Sequence, residues 1–427
     1  MMLKMTENTD NHAALQGQEQ ALAARYAEFQ AQGLKLDLTR GKPGSDQLDL
    51  SNPLDGILNG QYQAENTDLR NYGGLDGLAA AKTLGGLLLN IPAENVLVGG
   101  NSSLTLMYHY LLHAHLFGLR GAGSAWSREG DVKFLCPVPG YDRHFGICEA
   151  LGIRMLSVPM TDEGPDMDRV ETLVRQDPAI KGLWCVPKYS NPTGCTYSDA
   201  VVERIAALGK IAGSGFRIMY DNAYSVHDLT DTPPQLASIF QACRDQGTED
   251  SVVQFASTSK MTFAGAGVAF LGTSQANLAA FKAHLAVATI GPDKINQQRH
   301  VLWLKDAETI RQLMRQHAAL IKPKFDCVQQ ALEQGLGNRN LGHWTNPDGG
   351  YFISFYTHPG LATEVVRLAG EAGVKLTPAG AAFPYGKDPD DQHIRLSPTF
   401  PRIAELEQAM DVFVTCVQLA TVRQQLG

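Results

Sequence analysis

Between about residue 60 and residue 300 the chain alternates short apolar runs with longer stretches of helical period. The runs are NVLVGG, VKFLCPV, IRMLSVPM, GLWCVP, FRIMYD, VVQFAS and GVAFLG. Segments such as LTLMYHYLLHAHLFG and DAVVERIAALGKIAG fall between several of them and repeat their apolar residues every three or four positions. This alternation predicts an α/β fold with a largely parallel sheet flanked by helices. After Gly291 the pattern changes. A long helical region from about Ile295 to Gln334 leads into GGYFISFY, another helix, GVKLTP, HIRLSP and a final helix from Arg402 to about Leu426. These segments predict a second, smaller α/β domain. The opening MMLKMTENTDNHAALQ reads as a mobile or helical lead-in that packs against that smaller domain. The expected division is residues 1–50 for the N-terminal segment, 51–305 for the large domain and 306–427 for the small one.

Length agrees with this division, since 427 residues exceed what one core holds. A net charge of −8 leaves no basic footprint for nucleic acid or for an anionic membrane surface. No run approaches the roughly 20 apolar residues of a membrane span. The N-terminus has no apolar signal-peptide region. The seven cysteines are scattered and form no CxxC pair, which predicts reduced thiols, no metal site and a cytoplasmic location.

Ligands of open α/β sheets gather at the carboxyl ends of the strands, and four unusual stretches fall there. In SVVQFASTSKMTFAGAGVAFLG, Lys260 is the one charged residue among apolar and small ones. It is either an exposed turn lysine or an amine that burial keeps partly neutral, able to capture a carbonyl. Ser257, Thr258 and Ser259 precede it. In GGNSSLTLMYHYLL, Ser102 and Ser103 open a helix, where they either cap it or cradle a phosphate. In VPKYSNPTGCTYS, Asn191 starts an Asn-Pro turn and offers an amide donor. In FRIMYDNAYSVHD, Asp221 ends an apolar strand and Tyr224 follows; a buried carboxylate there needs a cationic partner. Pyridoxal 5′-phosphate presents matching groups: a phosphate, a ring oxygen, a pyridine nitrogen and an aldehyde. The glycine fingerprints of dinucleotide and ATP sites are missing, which disfavours a nicotinamide-dependent dehydrogenase.

The ordered set SSLT, PGY, NPTG, DNAY and STSK, with LDLTRGKP before it and HIRLSPTF after it, resembles the class I aminotransferases of PLP fold type I. The wording STSKMTFAGAGVAF is similar to a bacterial subgroup of aspartate aminotransferases, sometimes labelled MocR-like. The resemblance runs from about Leu36 to the C-terminus. It implies a large domain with a seven-stranded, mostly parallel sheet, a smaller α/β domain, and a homodimer with its sites at the subunit interface.

Carried over by motif, Lys260 is the Schiff-base lysine and Asp221 pairs with the pyridine nitrogen. Asn191 and Tyr224 hydrogen-bond the ring oxygen, and Tyr141 stacks on the ring. Ser102, Ser103, Ser257 and Ser259 surround the phosphate, and Tyr72 in LRNYGGLDG reaches the partner subunit's phosphate. Arg395 in HIRLSP grips the substrate α-carboxylate through its planar fork. The family's phosphate-binding arginine is replaced here by Val268, and Lys294 in IGPDKINQQRH is the expected substitute cation, in its own subunit or across the dimer, the alternative being a solvated surface lysine. Arg40 and Lys42 in TRGKPG, with Arg143 as a weaker option, are candidates for a second substrate carboxylate; a solvated basic turn is the competing reading.

The implied activity is transfer of an amino group between an L-amino acid, aspartate by resemblance, and a 2-oxo acid, 2-oxoglutarate by resemblance, in a ping-pong pattern. The nearest rivals are a C–S lyase or decarboxylase on the same scaffold. A PLP-binding transcriptional regulator is a further rival, but the residues before LDLTRGKP are too few and too weakly basic for an ordinary DNA-binding domain.

Overall fold

The structure, a computed structural model, describes residues 2–213 and 215–427, with side chains from His12 onward. It opens with helix α1 (Met2–Ala31), after which each of the seven apolar runs becomes a strand. These are β1 (Val96–Val98), β2 (Lys133–Val138), β3 (Arg154–Thr161), β4 (Ile180–Cys185), β5 (Arg217–Asp221), β6 (Val252–Ser257) and β7 (Ala269–Thr273). They lie in one sheet in the order β1-β7-β6-β5-β4-β2-β3. The sheet has eight strands where seven were expected, because the chain doubles back after β3 and adds the two-residue strand Gly164–Pro165 at the edge. β7 runs antiparallel to both its neighbours, and the pairs among β6, β5, β4, β2 and β3 are parallel. β4 and β5 are buried along their whole length, as a central parallel strand covered on both faces must be.

Helix α2 (Ser103–Leu112) follows β1, and α3 (Asp142–Ala150) follows β2. The long helical region predicted from Ile295 to Gln334 is two helices, α4 (Lys294–Leu304) and α5 (Ala307–Leu332). Lys305 breaks it by adopting a positive φ of 49°. Asp306 then caps α5, its Oδ1 accepting the Thr309 N–H at 2.8 Å. A continuous apolar period hides such a break.

Two compact units divide the chain. The larger comprises residues 45–319 and 347–350 and contains the sheet; the smaller comprises residues up to 44, 320–346 and 351–427. The division falls inside α5, whereas the sequence pattern placed it near residue 305. Within the smaller unit, strands β8 (Ile353–Tyr356) and β9 (His393–Leu396) pair antiparallel, and Leu36–Asp37 pairs in parallel with Val374–Lys375. Helix α6 (Ile403–Leu426) packs with α1, and Arg423 Nε donates to Glu19 Oε1 at 2.9 Å. Among the described residues no helix is long and apolar enough to cross a membrane.

Candidate active site

The parallel strands of the larger unit deliver their carboxyl ends to a cavity of about 240 Å³. From β1 and α2 come Ser102 and Ser103; from the loop after β2, Tyr141; from the turn after β4, Asn191. β5 supplies Asp221 and then Tyr224, and β6 supplies Ser257, Ser259 and Lys260. Register explains part of this convergence, since Phe255 on β6 sits opposite Asp221 on β5. The sequence-predicted residues of the large domain therefore meet in one place, apart from Tyr72, Arg143 and Lys294.

Lys260 is half-buried, and its Nζ lies 4.9 Å from the centre of the Tyr224 ring. Burial pushes its pKa below the ordinary lysine value, while the Asp221 carboxylate pulls the other way. Such an amine can shed its proton. Asp221 is 3% exposed, and His144 Nε2 lies 3.1 Å from its Oδ2. His144 stacks flat on Trp184 at 4.0 Å and meets the Tyr141 ring edge-on at 4.9 Å. The other carboxylate oxygen, Oδ1, is buried with no hydrogen-bond partner among the described residues. An orphaned carboxylate oxygen on a cavity wall is costly, and a protonated ring nitrogen would relieve it. The donor set thus fits pyridoxal 5′-phosphate.

His144 is a residue that sequence reasoning missed. A signal was available: in Tyr141-x-x-His144 the tyrosine is the N-cap of α3 and the histidine lies in its first turn, beside the strand end that needs a partner. Thr258, by contrast, contributes no hydroxyl to the cavity. It is fully buried, and its Oγ1 accepts the Val268 N–H at 2.9 Å, tying the start of the lysine turn to the start of β7. Ser102 occupies the N-cap position of α2, yet its hydroxyl makes no capping bond, so capping does not account for it. Ser259 Oγ donates to Asn101 O at 3.1 Å. A Cβ at Gly267 would stand 2.7 Å from that same Oγ, which is why a glycine is needed there.

The expected phosphate cation is not brought to the cavity within this chain. Lys294 is 5% exposed, and its Nζ donates to Asn71 O and Gly73 O, both at 2.7 Å. Those carbonyls flank Tyr72, which is 84% exposed. Two of the ammonium's three N–H donors go to this loop, and its burial excludes a solvated surface lysine. Arg143 is exposed on α3.

In the smaller unit, Arg395 on β9 is 9% exposed, with Nη2 3.3 Å from Thr377 Oγ1 and 3.4 Å from Thr39 O. Its guanidinium lies 4.9 Å over the Phe352 ring. A Cβ at Gly41 would come within 2.2 Å of that ring, so the TRGKPG turn needs its glycine. Lys42 Nζ sits 3.8 Å over the Phe400 ring, and Arg40 is exposed.

Fold and cavity together define the class of protein: an α/β enzyme of the aminotransferase type, with a neutralisable lysine and a buried carboxylate at adjacent strand ends. The sequence belongs to the aspartate amino-transferase family, which it matches over residues 10–427. An aspartate aminotransferase of Corynebacterium glutamicum is 46% identical over 398 residues, covering 93% of this chain and 92% of that protein. The crystal structure of an aspartate transaminase from Corynebacterium glutamicum matches with a TM-score of 0.93 at 44% identity, covering 96% of this chain and 97% of that one. The fold alone extends to the α-aminoadipate aminotransferase of Thermus thermophilus, solved in complex with N-(5′-phosphopyridoxyl)-L-leucine. There the TM-score is 0.74 at 21% identity, over 94% of this chain and 95% of that one. The chain is an aminotransferase.

Proposed function

We propose that the protein binds pyridoxal 5′-phosphate in this cavity and moves the amino group of aspartate to 2-oxoglutarate by a ping-pong mechanism. One observation carries the reading: a lysine amine with a lowered pKa and a buried carboxylate with an orphaned oxygen line the same cavity. When bound, the cofactor supplies an electron-withdrawing ring that stabilises the charge left as a substrate Cα–H bond breaks. Asp221 Oδ1 holds a proton on the ring nitrogen, and His144 keeps Oδ2 oriented. Asn191 and Tyr224 hydrogen-bond the ring oxygen, and Tyr141 covers the ring. Ser102, Ser103, Ser257 and Ser259 hold the phosphate. Lys260 Nζ accepts the Cα proton and later returns it, base and acid in turn.

In the smaller unit, Arg395 is the group proposed for the substrate α-carboxylate, and Arg40 and Lys42 are proposed for the distal one. The active form is a homodimer in which the exposed Tyr72 reaches the phosphate of the partner's site. Seven free cysteines support a reducing, cytoplasmic setting.

A spectrum of the purified protein tests this reading. A yellow band should bleach with aspartate and return with 2-oxoglutarate. Product formation without an oxo-acid acceptor would point to a lyase or decarboxylase, and a protein that stays colourless with added cofactor would overturn the proposal.

A further inference from the structure

Three buried histidines, far apart in sequence, converge on the backbone turn that carries Lys260. His227, in the loop after β5, places Nε2 3.4 Å from Lys260 O. His317 on α5 places Nε2 2.9 Å from Met261 O. His300 on α4 places Nε2 2.9 Å from Thr262 Oγ1. Their exposures are 3%, 1% and 1%. Each turn atom lies on a different residue, and each ring comes from a different element.

The hydrogen-bond pattern assigns the tautomers. His227 and His317 face carbonyl oxygens, so their Nε2 atoms carry the proton and donate. His317 Nδ1 lies 3.2 Å from Gln47 Nε2 and accepts from that fully buried amide. His300 Nδ1 donates to Asn296 O at 2.8 Å, and its Nε2 meets the Thr262 hydroxyl, whose one proton also has Thr258 O within reach at 3.1 Å. Burial of all three rings favours their neutral form. Burial pushes all three pKa values down, that of His227 to about 3 with the nearby Lys260 charge as a second cause. The charged and titratable groups around them are Lys260, Lys188 and His317 for His227, Arg299 for His300, and Asp46 for His317. Lys260 itself faces Asp221, Tyr224 and His227.

A lysine that must hold and then release a proton needs a mobile side chain on an immobile backbone. Desolvation sets the amine's pKa, and desolvation depends on how deep the turn holds it. We infer that His227, His300 and His317 are positioning residues, a neutral three-ring clamp that fixes residues 260–262 and thereby sets the protonation behaviour of Lys260 Nζ, free or joined to the cofactor. The inference rests on the cofactor-binding reading above.

The test uses the full-length protein loaded with pyridoxal 5′-phosphate and reads the pH midpoint of its visible absorption band, together with the thermal midpoint. A glutamine amide nitrogen can stand where His Nε2 stands, whereas an asparagine one stands nearer Nδ1. His227→Leu and His317→Leu should move the pH midpoint by on the order of one unit, and His227→Gln and His317→Gln should restore it to within a few tenths. Should the leucine variants fail to fold, His227→Asn must shift the midpoint while His227→Gln does not. Variants that lose thermal stability yet keep the wild-type pH midpoint would overturn the clamp. A wild-type protein that takes up no cofactor would overturn the site reading instead, before any variant is compared.

Discussion

The two ends of the cavity handle charge in opposite ways. At the end proposed for the ring, charge is concentrated: one buried carboxylate, one imidazole on its Oδ2 and one oxygen without a protein partner. At the end proposed for the phosphate, it is dispersed over the hydroxyls of Ser102, Ser103, Ser257 and Ser259 and the first backbone N–H groups of α2. Among the described residues lining the cavity, Lys260 is the one cation. Concentrated charge in low dielectric gives a strong, single-point interaction, while a dianion shared among neutral donors loses little when one is removed. On the proposed binding mode, the ring end changes reactivity and the phosphate end holds.

The largest test of that contrast is at the ring end. Asp221→Ala should lower turnover by roughly 10²–10³ at saturating cofactor, the size of effect seen for a preorganised electrostatic group. Asp221→Glu should recover part of it, because the charge is kept while its position shifts. Half-reaction rates with aspartate are the measurement. At the phosphate end, Ser257→Ala should weaken cofactor binding by about 10-fold, near the value of a hydrogen bond to a charged group, with turnover at saturation within a few-fold of wild type. Equal losses of affinity and turnover at both ends would erase the distinction.

Much of this arrangement is legible in the sequence because strand ends announce themselves. Runs such as FRIMYD and VVQFAS stop in polar residues, and the cost of burying Asp221 at such an end demands a partner even before that partner is known. What sequence hides is anything made by backbone atoms or by a lone side chain from a distant element. His144 is one histidine in DRHFG, marked only by its three-residue spacing from Tyr141. His300, His317 and Gln47 reach the lysine turn through carbonyl, hydroxyl and amide contacts that leave no trace in composition. Lys294 is the sharpest case. Val268 called for a substitute phosphate cation and pointed to Lys294, but within the chain its Nζ meets two carbonyls more than two hundred positions away.

That displacement yields the smallest and most discriminating prediction. Lys294 donates to two neutral carbonyl oxygens, and these bonds fix the main chain on either side of Tyr72. If it acts on cofactor binding through Tyr72 alone, Lys294→Ala and Tyr72→Phe each weaken cofactor affinity by about three- to tenfold, the worth of one hydrogen bond. The double variant should then be no weaker than Tyr72→Phe, because the loop no longer presents a hydroxyl to be positioned. If Lys294 instead meets the phosphate directly, the two losses act on separate contacts and multiply. Equilibrium dialysis of the four proteins separates these outcomes. A multiplicative result would restore a cation to the phosphate end and make its chemistry resemble that of the ring end.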